Sequence, residues 1–106
     1  MKKFKFDKNT ENLFNAIMGL KSVKEAEMFF RDLCTPAEIK AMSERWQIAN
    51  LLNRGLTYRD IADILKVSST TVSRVATWLF NGEGGYRLAL KKMSHHNNPS
   101  FGKRLR

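Results

Sequence analysis

The sequence predicts an all-α fold, and three observations lead there. Apolar residues recur at spacings of three and four, no run of β-branched residues alternates with polar ones, and the only prolines are Pro36 and Pro99. At 106 residues with 42% hydrophobic content, the chain is long enough for one folded domain with a modest core.

A first helix is expected over 8–20, with Leu13, Phe14, Ile17 and Met18 on one side. A second, over about 22–33, places Val23, Ala26, Phe29, Phe30 and Leu33 at helical spacing, and burial is the ordinary use of such a stripe. Cys34 follows it and reads as a small buried hydrophobe. The third helix is the best specified. Thr35-Pro36-Ala37-Glu38 supplies a hydroxyl cap, a proline at the first helical position and a glutamate three residues after the cap. Gly55 suits a left-handed stop. Between them Ile39, Met42, Trp46 and Ala49 form a stripe that Ala41, Ile48, Leu51 and Leu52 widen, as in a central helix.

Residues 56–75, LTYRDIADILKVSSTTVSRV, write one small pattern twice. Thr57 caps a helix whose apolar face is Tyr58, Ile61, Ala62 and Leu65; Ser68 caps another whose face is Val72, Val75, Ala76 and Leu79. Thr70, Ser73, Arg74 and Thr77 line the opposite side of the second helix. A small Ala62, a turn at Lys66, then Val67 and Val72 occupy the defining places of a helix-turn-helix over 57–80. Lys66 stands where glycine is usual, and a non-glycine in a left-handed conformation costs on the order of 1 kcal/mol. NGEGGY at 81–86 is a turn, and a last helix is expected over about 84–93. The expected organisation is one helical domain over 1–93 and a basic, flexible tail over 94–106.

Formal net charge is +9. Residues 1–8 carry +3 and residues 91–106 carry +5, so the 82 residues between are nearly neutral. Basic ends of this kind can serve as electrostatic arms on phosphates, without sequence information. The opening MKKFKFDKNTENLF has no apolar run behind its lysines and does not read as a signal peptide. No segment approaches the roughly 20 apolar residues of a membrane span, and a single cysteine cannot form an internal disulfide. A cytoplasmic protein without a membrane partner is the expectation. His95, His96 and Cys34 lack metal-ligand spacing, and no catalytic constellation or cofactor motif assembles, so neither an enzyme nor a cofactor is expected.

The run from Thr35 to Leu79 resembles the Trp repressor superfamily. The residues that carry the likeness are Thr35-Pro36-x-Glu38, Arg45, the Leu51-Leu52 pair followed by Arg54-Gly55, and the helix-turn-helix ending in Ser73-Arg74. It is most similar to the Trp-repressor-like YerC/YecD-type proteins of Gram-positive bacteria. The resemblance implies an interlocked all-helical homodimer that reads a palindromic operator in double-stranded DNA, by analogy as a repressor. Two recognition helices one helical turn apart, about 34 Å, fit such sites. Carried over, the DNA contacts fall on Arg59, Ser69, Thr70 and Ser73, with Ser68 at the head of the same helix and Arg45 and Arg74 near phosphates. Hydroxyls discriminate bases weakly, so specificity would lean on Arg59, bridging water and DNA shape. The resemblance also implies a corepressor pocket framed by Arg45, Arg74 and Thr35. There the family has a glycine after the second arginine, and this chain has Val75, so the pocket is expected to be vestigial and L-tryptophan not to act. The competing expectation is a protein-interaction or RNA-associated adaptor that keeps the helix pair for packing. Salt-dependent preference for one duplex sequence separates the two.

Overall fold

A computed structural model describes residues 4–96, and these form six α-helices with no strand among them. The helices are α1 (Lys8–Met18), α2 (Val23–Leu33), α3 (Pro36–Asn53), α4 (Tyr58–Leu65), α5 (Ser69–Asn81) and α6 (Gly85–His96). The chain divides into two compact units, the first ending at Ile39 and the second starting at Lys40. Residues 97–106, most of the expected basic tail, lie outside the described part, as do residues 1–3.

Short polar side chains start these helices by accepting backbone N–H groups that the helix itself leaves unpaired. Asp7 accepts from Thr10 N at 2.9 Å, and that bond holds its carboxyl below the ordinary range. Ser22 Oγ accepts from Glu25 N at 3.1 Å, while the Glu25 carboxylate reaches back to Lys21 N at 2.8 Å. At Thr35 both halves of the capping box form: Glu38 N donates to Thr35 Oγ1 at 3.1 Å and Thr35 N to Glu38 Oε1 at 2.8 Å.

The stops are equally local. Gly55 sits at φ +91°, with its N–H on Leu52 O at 3.0 Å and Leu56 N on Leu51 O at 3.2 Å. That paired closure needs the left-handed conformation a glycine accepts without strain. Lys66 adopts the same conformation, at φ 58° and ψ 45°, while Val67 N reaches Ala62 O at 3.1 Å. Lys66→Gly is therefore expected to stabilise the fold by roughly 0.5–1 kcal/mol, seen as a rise of a few degrees in melting temperature. An unchanged or lower melting point would mean that the lysine side chain contributes more than its backbone costs.

The core belongs to the second unit. Ile48, Ala49, Leu52, Ile61, Val72, Val75, Ala76, Leu79 and Leu90 are buried, flanked by Trp46, Leu51, Leu56, Ala62, Leu65, Val67 and Tyr86. Thus α4 and α5 pack on each other and on the C-terminal half of α3, and α6 adds Leu90.

The first unit differs from expectation. No residue of α1 or α2 is buried, and Met18 and Val23 are 79% and 76% exposed. Two eleven-residue helices enclose too little volume to cover their own apolar stripes. Aromatic edges meet there instead, Phe4 on Phe6 at 5.0 Å and Phe6 on Phe14 at 5.8 Å. Met42, expected in the α3 stripe, is also exposed, so α3 is central only from Ile48 onward. Cys34 is half-buried rather than buried: it closes α2, its N–H on Phe30 O at 2.8 Å and its carbonyl accepting from Arg31.

Candidate nucleic-acid interface

Residues 57–81 form two helices crossing through a tight turn, and their polar residues separate cleanly from their apolar ones. On α5, Val72, Val75, Ala76 and Leu79 are turned into the core. Ser69, Thr70, Ser73, Arg74 and Thr77 are exposed. With 3.6 residues per turn, positions 70, 73, 74 and 77 share one side, so the helix presents hydroxyls and one guanidinium to solvent.

Not all of these hydroxyls are equally available. Ser68 Oγ accepts from Thr71 N at 3.1 Å and lies 2.9 Å from Thr71 Oγ1, so it caps α5. Thr77 Oγ1 donates to Ser73 O at 3.1 Å. Thr57 Oγ1 caps α4 by accepting from Asp60 N at 3.1 Å, which brings Arg59, exposed, into the first turn of that helix.

The remaining residues singled out from the sequence divide in two. Arg45 on α3 and Arg74 on α5 are exposed, and Val75 is 1% exposed. Thr35 belongs to the first unit, where its hydroxyl is engaged by the α3 cap. Arg45 also bears on Tyr86: burial pushes the phenol's pKa up, and the nearby guanidinium pulls it back down. The Tyr86 ring stacks on Trp46, centroids 6.4 Å apart and planes 21° from parallel. Sequence reading placed neither this pair nor Arg87, which donates to the end of α5, because both contacts join separate helices.

Among the described residues no group of three or more His, Cys, Asp or Glu could hold a metal ion. Among them, too, no helix is long and apolar enough to cross a membrane.

Residues 8–94 match the sequence profile of the Trp repressor protein family. The chain belongs to the Trp repressor family. It is 36% identical to the uncharacterized protein YerC of Bacillus subtilis over 96 residues, covering 91% of this chain and 92% of YerC. The crystal structure of a TrpR-like protein from Eubacterium eligens matches with a TM-score of 0.80 and 37% identity, over 87% of this chain and 95% of that one. A crystal structure described as that of a proposed Trp repressor from Staphylococcus aureus matches with a TM-score of 0.80 and 35% identity, over 88% and 93%. The Trp repressor family is one of helix-turn-helix DNA-binding regulators, and the likeness extends over α1 to α6, beyond the helix pair alone.

Proposed function

We propose that this protein is a sequence-specific transcriptional repressor. On this reading it binds a palindromic operator as a homodimer, α5 of each subunit lying in the major groove. The observation that carries the reading is the two-faced α5: valines and leucine buried, Ser69, Thr70, Ser73 and Arg74 exposed along the other side. What sets this row apart from an ordinary solvated face is its place on the second helix of a helix-turn-helix in a family of DNA-binding regulators. In this reading Ser69, Thr70, Ser73 and Arg59 meet base edges and bridging waters, and Arg45 and Arg74 meet phosphates.

The second copy is proposed from the first unit. Phe4, Phe6, Phe14, Met18, Val23, Met28 and Leu33 are all at least 48% exposed in the single chain. That much apolar surface left in water disfavours a monomer, and a partner subunit is the occupant the family's architecture supplies.

Selection of binding sites from genomic fragments with the purified protein tests the function, with sedimentation equilibrium on the same sample. The expected outcome is enrichment of a two-fold symmetric sequence, bound by a dimer with steep salt dependence. A monomer with no preference among duplexes overturns the reading.

The same reading assigns no corepressor role to L-tryptophan. Val75 stands at the position after Arg74, and it is spent on the core with Val72 and Ala76. A ligand entering beside it would have to displace a packed side chain. Calorimetry is expected to detect no micromolar binding of L-tryptophan, and operator affinity to be the same with and without it. A tenfold gain in affinity on adding tryptophan, about 1.4 kcal/mol of coupling, would contradict this.

A further inference from the structure

The C-terminal end of α5 is closed from outside the helix. The last four carbonyls of any α-helix lack intrahelical partners. In α5, Trp78 O is taken by Gly82 N at 3.0 Å, and the chain turns away there at a residue where a Cβ would run into the Trp78 carbonyl. The next two carbonyls are taken by one side chain of α6. Arg87 Nε donates to Leu79 O at 3.1 Å and Arg87 Nη2 to Phe80 O at 3.1 Å. The last turn of α5 has no basic residue of its own, so Arg87 also brings the positive charge that the negative end of the helix dipole favours.

Arg87 is itself held in place. Its neighbour Tyr86 stacks on Trp46 of α3, and Leu90, one turn further along α6, is buried in the core. The first turn of α6 therefore ties α3 to the far end of α5. Gly84, at φ +92°, sets that turn's direction, and Leu88 N donates to Gly84 O at 2.9 Å.

We propose that Arg87 is a positioning residue for DNA recognition: its two-pronged grip on the Leu79 and Phe80 carbonyls fixes the tilt of α5, and so aims Ser69, Thr70 and Ser73. The proposal rests on the reading of α5 as the recognition helix. Its physical basis is leverage. From the gripped Leu79 and Phe80 carbonyls back to Ser69–Ser73 the helix rises roughly 10–16 Å, so a pivot of about 5° there moves those residues by about 1 Å. Side-chain contacts require placement to within about 0.5 Å. Hydroxyl readers, with their weak individual contacts, depend on such placement more than a long arginine would. Phosphate contacts, made by flexible basic side chains, tolerate the shift.

The test uses the full chain and its Arg87→Gln and Arg87→Lys variants. It measures melting temperature, affinity for the selected operator and for a random duplex, salt slope, and amide chemical shifts of residues 69–73. Arg87→Gln is expected to remain folded at 25 °C, to bind the random duplex within about twofold of the parent, and to lose about tenfold or more on the operator at an unchanged salt slope. Its α5 amide shifts move at the N-terminal turn, roughly 10–16 Å along the helix from the carbonyls that Arg87 holds. Arg87→Lys, with the charge but not the planar fork, recovers part of the loss.

Equal losses on both duplexes with a slope lower by about 1 overturn the proposal, because Arg87 then meets a phosphate. Unchanged operator affinity overturns it as well, and so does an unfolded Arg87→Gln variant, which makes the residue one of the fold. If the parent itself prefers no duplex, the DNA-binding reading fails, a result distinct from any of these.

Discussion

Ile61→Ala is expected to destabilise the fold by about 3 kcal/mol, within the 2–5 kcal/mol range for truncating a buried isoleucine, and to lower the melting temperature by on the order of 15 °C. Ile61 is fully buried, is the one buried residue of α4, and belongs to the same core cluster as Val72 and Val75 of α5. Removing three carbons there takes away their burial and leaves a void where α4 and α5 pack. Ile64, one turn on, is the control: it is 58% exposed, so Ile64→Ala should change stability by no more than about 0.5 kcal/mol. Thermal unfolding of the two variants beside the parent checks the contrast. Equal effects at both positions would mean that α4 does not pack through the Ile61 face.

Joint replacement of Ser69 and Thr70 by alanine is expected to weaken operator binding by roughly 30-fold, about 2 kcal/mol for two lost hydroxyl contacts, with random-duplex binding almost unchanged. Melting should hold or rise slightly, because both positions lie in the exposed first turn of α5, where alanine is the better helix former. Ser68→Ala should behave the opposite way. Its hydroxyl holds the Thr71 N–H, so losing it costs about 1 kcal/mol of stability before any effect on DNA. Fluorescence anisotropy on both duplexes, run with thermal melts, separates these outcomes. If the double variant binds the operator as tightly as the parent, α5 does not read bases through its first turn.

Helix boundaries were legible in the sequence wherever a cap is written in neighbouring residues. Thr35-Pro36-x-Glu38, Thr57, Ser68 and Gly55 all form the local bonds expected of them. Even the awkward Lys66 takes the left-handed conformation that the helix-turn-helix pattern demands. The periodicity of α5 likewise predicted Val72, Val75, Ala76 and Leu79 as buried and Thr70, Ser73 and Arg74 as outward, as observed; on the expected α4 face Ile61 is buried and Ala62 and Leu65 partly so, but Tyr58 is 45% exposed. The last helix runs to His96 rather than stopping near residue 93. Its sequence has no glycine or proline after Gly85 to mark the stop earlier.

By itself, then, the sequence determined the caps, the turn and the two faces of α5. Those features depend on bonds and spacings within four or five residues, which the order of residues encodes directly. Tertiary structure alone decided which apolar stripes find cover. Val23, Phe14 and Met18 have the same helical spacing as Val72 and Leu79, yet within the single chain they are exposed, because spacing states that a face is apolar and not that another helix of the same chain lies against it. It also decided that Trp46 stacks on Tyr86, forty residues along the chain, and that Arg87 reaches back to close α5. A long side chain's partner across a turn depends on how two helices dock, which the order of residues within either helix does not state.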